Sequence, residues 1–82
     1  MQYKGKTIYN KTDLVVMLRR QAREGKIDEY TALRDLRANC INILEYLKDK
    51  GELDNIELTL QLMSLQNDSI DIHKEVINAR KK

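Results

Sequence analysis

The chain has no proline, tryptophan or phenylalanine, and only three glycines, one cysteine and one histidine among its 82 residues. The absence of proline suits long helices, because proline removes a backbone donor and interrupts them. A single cysteine excludes an internal disulfide, and with a single histidine it can form a zinc site only if carboxylates complete the ligand set. The core must therefore be built from leucine, isoleucine, valine and methionine, helped by some of the four tyrosines.

Long apolar runs are also absent. No stretch approaches the roughly 18 apolar residues that a membrane-spanning helix needs. Residues 1–10 are polar and lack the apolar region of a signal peptide. Charged residues make up 34% of the chain at a formal net charge of +2, which is typical of an ordered, soluble protein. We therefore expect a cytoplasmic protein.

Between Gly25 and Gly51, apolar residues recur at steps of three and four, which is the periodicity of one face of a helix. The stripe consists of Tyr30, Leu33, Leu36, Cys40, Leu44 and Leu47, with Ile41 and Ile43 beside it. It predicts a long helix over 29–50, with Asp28 as its N-cap. We expect the other helices to pack on this one.

The same periodicity predicts three further helices, over 13–24, 55–67 and 70–79. Asn10 or Thr12 would cap the first of them, and Gly25 would end it in a left-handed conformation. The apolar stripe of this helix consists of Leu14, Met17, Leu18 and Ala22, with Val15 widening it.

Polar residues indicate where the last two predicted helices begin. Asp54 and Glu57 resemble a capping box, and Leu53 and Leu58 are placed as a hydrophobic staple. The Asn-Asp-Ser run at 67–69 predicts a break between the two helices. Apolar residues on more than one side of the third helix indicate either broad burial or an exposed, adhesive face.

Residues 1–10 can be interpreted in two ways. Lys4-Gly5 could turn a small hairpin, and an extended arm that packs Ile8 and Tyr9 on the helices is about equally supported. Four helices joined by short loops predict one all-α domain over 1–82, a small helical bundle around the long second helix.

The residues that could carry chemistry each have a structural explanation. Cys40 and His73 could form a catalytic pair, but Cys40 lies on an apolar stripe and is better explained as a core residue. Three carboxylate pairs stand at predicted helix starts, where negative charge is stabilising. They are Asp28 with Glu29, Asp54 with Glu57, and Asp68 with Asp71. No nucleotide-binding, metalloprotease or calcium-loop motif is present, so we expect no enzyme activity, no cofactor and no metal.

Charge is distributed unevenly along the chain. Residues 1–26 hold seven lysines and arginines against two carboxylates. A basic end of this kind can steer a protein toward nucleic acid, an anionic membrane face or an acidic partner, or it can be an ordinary solvated surface. We single out Arg19, Arg20 and Arg23 as candidate electrostatic contacts for a partner.

The leucine-rich run from Leu53 to Leu65 is a candidate surface for a partner helix. The alternative is that its residues fill the core or the seam of a homodimer. The apolar residues that we select as candidate partner contacts are Leu58, Leu62, Leu65, Ile72 and Val76.

Two segments, 5–10 (Gly-Lys-Thr-Ile-Tyr-Asn) and 33–39 (Leu-Arg-Asp-Leu-Arg-Ala-Asn), carry a family resemblance. With the length and helical, polar character of the chain, they resemble the RIII family of cytoplasmic antiholins, lysis-inhibition accessory proteins of T-even-like phages. The resemblance implies a regulator that binds the cytoplasmic segment of a phage holin, delays its assembly into membrane lesions and so delays host lysis. It assigns no role to an individual residue.

Two other functions stay open at this point. One is a small phage nucleic-acid-binding or transcription regulator that uses the basic N-terminal third of the chain. The other is a structural subunit that completes its core as a homodimer, in which case its thermal stability would depend on concentration.

Overall fold

The computed structural model describes residues 2–81 and consists of a small hairpin followed by helices. Its elements are β1 (Gln2–Tyr3), β2 (Lys6–Thr7), α1 (Lys11–Arg23), α2 (Glu29–Asp49), α3 (Asn55–Met63) and α4 (Leu65–Arg80). The predicted all-α class is confirmed in broad terms, with a hairpin added at one end. The predicted count of four helices needs correction, because only Ser64 separates α3 from α4 and the two form one bent helix.

β1 and β2 pair in an antiparallel hairpin whose turn is Lys4-Gly5. Both turn residues have positive φ, as a type I′ turn requires. The Tyr3 hydroxyl donates a hydrogen bond to Asp35 of α2. Burial, and then this bond to a carboxylate, raises the pKa of Tyr3. The hairpin is thus anchored on α2. Ile8 just beyond it is buried as the arm arrangement predicts, but Tyr9, predicted to pack beside it, is 73% exposed.

The first three helices begin at N-caps whose side chains accept a bond from the backbone N–H three residues later. The caps are Asn10, Asp28 and Asp54, which accept from Asp13, Thr31 and Glu57 at 2.7–2.8 Å. Because Asn10 and not Thr12 is the first cap, α1 starts two residues earlier than predicted. After α1 and α2, Gly25 and Gly51 adopt φ values of 71° and 76°, which residues with a Cβ rarely adopt.

The predicted break at 67–69 is wrong, because α4 runs through this polar run. The N–H of Asp68 donates to the Ser64 carbonyl at 3.1 Å, so the helical ladder continues. The Ser69 hydroxyl bonds back to the carbonyl four residues earlier, and Asp68 pairs with a lysine of α1. The helix bends instead at Ser64, whose hydroxyl donates to the carbonyl three residues earlier, a local bond that competes with regular helix geometry.

The core lies among α1, α2 and α4, which all contact one another. All five apolar residues predicted for the stripe of α1 are buried: Leu14, Val15, Met17, Leu18 and Ala22. The buried residues of α2 are Ala32, Leu36, Cys40, Ile43 and Leu44. Tyr30 and Ile41, predicted for the same stripe, are 75% and 44% exposed. At roughly 100° per residue, Tyr30 and Ile41 lie about 120° and about 140° around the helix from Leu36, near the middle of the buried line.

Candidate functional site

α3 presents a row of apolar side chains to solvent. Ile56, Leu60 and Met63 are 72%, 60% and 70% exposed. Their spacing of four and then three residues places them on one side of the helix. We call this row the α3 face. None of the nine residues of α3, all of which the structure describes, is buried.

Residues at the ends and on the opposite side of α3 attach it to the bundle. Leu53, just before the helix, is buried at 7% exposure, and Leu58 packs against the same core. These are the two positions predicted as a hydrophobic staple. Leu65, just after the bend, also contacts the core. The helix is therefore held without any contribution from the α3 face, which leaves that face open to a partner.

Of the five apolar residues selected from the sequence as partner contacts, two are buried, two are partly buried and one is exposed. Ile72 and Val76 are 0% and 6% exposed and belong to the core, because α4 turns them toward α1 and α2. A partner cannot reach them in this fold. Leu58 and Leu65 are partly buried against the core, while Leu62 is 39% exposed.

The sequence from 56 to 65 contains two apolar rows with the same spacing. Leu58, Leu62 and Leu65 form one, and the α3 face forms the other, two residues earlier along the chain. At about 100° per residue the two rows lie on nearly opposite sides of a helix. The signal for a second apolar row is therefore visible in the sequence, but the sequence does not say which row is buried.

Two of the three selected arginines form ion pairs with a residue of the same chain. The guanidinium groups of Arg19 and Arg23 lie 3.2 and 2.9 Å from the two carboxylate oxygens of Glu75 on α4. The hydrogen bond from Arg23, with Arg19 adding to it, holds the pKa of Glu75 below its usual range. Arg20 is exposed and lines a shallow surface groove with Lys6. The structure thus brings Arg19 and Arg23 together as a clamp between α1 and α4.

Lys11 forms a polar cluster that sequence reasoning missed. It is only 9% exposed, and its ammonium donates to Asp68 at 2.9 Å, to the Gln61 carbonyl at 3.3 Å and to the Ser64 hydroxyl. No local pattern signals these contacts, because 50 to 57 residues separate the partners. Ser64 faces an ammonium and not a base, so the cluster does not activate the hydroxyl as a nucleophile. It ties the start of α1 to the bend between α3 and α4.

Cys40 and His73 do not form a pair. Cys40 is fully buried, and burial raises the pKa of its thiol, which is the opposite of what a nucleophilic cysteine needs. The side chain of His73 is 53% exposed and hydrogen-bonds to Glu29 at the start of α2.

Three of the six carboxylates selected at helix starts have structural roles that these contacts show. Asp28 and Asp54 are N-caps, and the backbone N–H of Thr31 lowers the pKa of Asp28. Asp68 lies within α4 and pairs with Lys11.

The α3 face is the candidate functional surface among the described residues. Across residues 2–81, no group of three or more histidine, cysteine or acidic side chains is arranged to hold a metal ion. No helix in that span combines the length and the apolar character needed to cross a bilayer. Comparison of the chain with known protein families, curated proteins and solved structures finds no match.

Proposed function

We propose that the protein is a non-enzymatic cytoplasmic regulator that acts by binding another protein through the α3 face. The observation that supports this proposal is a row of three large apolar side chains, each at least 60% exposed, on a helix that needs none of them for its attachment. Burying a side chain of this size contributes about 1.5–3 kcal/mol. A partner that covers the row can therefore gain substantial affinity from a small contact.

The specific partner that we propose is the cytoplasmic segment of a phage holin, following the family resemblance of segments 5–10 and 33–39. Bound protein would keep holin molecules from assembling into membrane lesions and so delay lysis. Such a regulator works by occupancy, so its effect depends on affinity and concentration and not on turnover.

Nucleic-acid binding through the basic N-terminal third is the alternative function. The engagement of Arg19 and Arg23 by Glu75 reduces the positive charge that this third offers to phosphates. Lys4, Lys6 and Arg20 remain exposed, so a nucleic-acid complex would depend on these residues. It would also weaken steeply as salt is raised.

The deciding experiment measures binding of a fluorescently labelled peptide with the sequence of the holin's cytoplasmic segment. The test variant is Ile56→Ser/Leu60→Ser, which removes two side chains of the α3 face. We expect the wild-type protein to bind the peptide and the variant to bind at least about tenfold more weakly, because two apolar contacts are lost. Co-expression with the holin should delay lysis for the wild-type protein and not for the variant.

A matched control removes two exposed apolar side chains elsewhere. Tyr30→Ser/Ile41→Ser changes the exposed side of α2 and should leave both peptide binding and lysis timing unchanged. Circular dichroism should show the same helix content for all three proteins. Equal peptide binding by the wild type and the α3 variant would contradict the proposal, as would capture of nucleic acid in place of the peptide.

A further inference from the structure

The segment that carries the α3 face is strongly acidic. Residues 51–73 contain five carboxylates and no lysine or arginine. Asp68 is neutralised by Lys11 in the buried cluster. Glu52, Asp54 and Glu57 remain exposed at the start of α3. The apolar row therefore lies beside a patch of exposed negative charge.

Glu57 lies directly beside the α3 face. It precedes Leu60 by three residues, so the side chains of Glu57 and Leu60 are neighbours on the helix surface. Asp54 caps the helix one turn before Glu57. The patch thus flanks the end of the row where Ile56 lies.

Two lysines near this segment already have partners within the molecule. The Lys50 ammonium lies 4.6 Å from the centre of the Tyr46 ring on α2. A hydrogen bond to Tyr46 is the largest cause of the raised pKa of Lys50, and Glu52 contributes less. Lys11 is held in its own cluster on the inner side of the bend. Among the described residues neither lysine forms an ion pair with Asp54 or Glu57, so negative charge remains beside the α3 face for a partner to neutralise.

We propose that the α3 face binds an amphipathic helix whose apolar row is flanked by lysines or arginines. This inference rests on the proposed function and names the chemistry of its partner. The row extends over the seven helical steps from residue 56 to residue 63, about 10.5 Å at 1.5 Å per step, which matches two turns of a second helix laid along it. Basic flanks would meet Glu52, Asp54 and Glu57, which favours encounter and fixes the direction in which the partner lies.

The test uses two designed helical peptides with the same leucine row, one flanked by lysines and the other by glutamates. We expect the lysine-flanked peptide to bind about tenfold more tightly, because several exposed charge pairs each add a small attraction. Its affinity should fall as salt is raised from about 0.05 M to about 0.5 M, where screening is strong. Chemical-shift changes should centre on Ile56, Leu60 and Met63.

A charge-neutral variant then tests the acidic patch directly. Glu52→Gln/Asp54→Asn/Glu57→Gln removes the charge while keeping a capping side chain at position 54, since asparagine caps as well as aspartate. It should bind the lysine-flanked peptide about tenfold more weakly and lose most of the salt dependence. The matched control, Glu24→Gln/Asp28→Asn/Glu45→Gln, also neutralises two glutamates and one capping aspartate. It should bind as the wild type does.

The outcomes separate this inference from the proposed function. Equal binding of the two peptides, or an unchanged salt dependence in the charge-neutral variant, would overturn the basic-helix inference. If Ile56→Ser/Leu60→Ser still abolished binding of the holin segment in that case, the proposed function would stand. Concentration-dependent dimerisation of the protein alone, lost on the same substitution, would show that a second copy covers the face and would overturn the inference.

Discussion

The Lys11 ammonium and the Asp68 carboxylate lie 2.9 Å apart, although 57 residues separate them in the chain. Their side chains are 11% and 17% exposed, so water screens the pair only weakly. The same ammonium also binds the Gln61 carbonyl and the Ser64 hydroxyl. These contacts hold the bent helix of α3 and α4 against the start of α1. They therefore also set the direction in which the α3 face points.

Removing one member of this pair should destabilise the fold. Lys11→Met leaves the Asp68 carboxylate and the Ser64 hydroxyl without their common donor, and we expect a loss of about 2 kcal/mol in the free energy of unfolding. The double variant Lys11→Met/Asp68→Leu should recover much of it, because no charge is then left unpaired. Urea denaturation measures both, with Lys6→Met at an exposed position as the control. A full, additive loss in the double variant would argue against a stabilising interaction between Lys11 and Asp68.

Stability should depend on pH through Glu75. Arg23 and Arg19 lower the pKa of this carboxyl in the folded state, so the folded protein binds its proton less readily than the unfolded chain. The contribution of Glu75 is fully present above its unfolded pKa, near 4.3, and is lost as the pH falls through the lower folded value. Glu75→Gln should therefore be less stable than the wild type at pH 7, and the difference should shrink below about pH 4. A difference that did not vary with pH would contradict this assignment.

Two isoleucines provide a matched test of which faces are buried. Ile72 is fully buried and Ile56 is 72% exposed. Ile72→Ala should cost about 2–5 kcal/mol, because it leaves a cavity in the core. Ile56→Ala should change stability by no more than about 0.5 kcal/mol. Thermal denaturation of the two variants compares them directly, and similar losses would mean that α3 packs differently.

The Cys40 thiol should react only when the fold opens. It is fully buried and its pKa is raised by burial, so both access and thiolate formation are suppressed. Labelling with a thiol reagent should be slow in the native protein and fast in denaturant. A chain with Cys40→Ala and Ile41→Cys moves the thiol to the neighbouring exposed position and should react quickly without denaturant. Equal rates for the two native chains would show that the core is open at this position.

Local signals were sufficient to predict most of the helices. Asn10, Asp28 and Asp54 cap helices because their side chains reach backbone N–H groups only three residues away. Gly25 and Gly51 end helices because they reach positive φ without strain. These interactions need no distant partner, so the residue types and their spacing carry the information.

The tertiary structure decided what local spacing leaves open. By periodicity, either the row of Leu58, Leu62 and Leu65 or the α3 face could pack on the core. Contact with the bundle selects the side that carries Leu58 and Leu65, while Leu62 stays 39% exposed. The polar run at 67–69 predicts a break, but its aspartate finds Lys11 across the fold and the helix continues. Arg19 and Arg23 are predicted from the sequence as contacts for a partner, but in the fold both form ion pairs with Glu75. Each of these outcomes depends on groups more than 50 residues apart or on competition between helix faces, which no short window of sequence records.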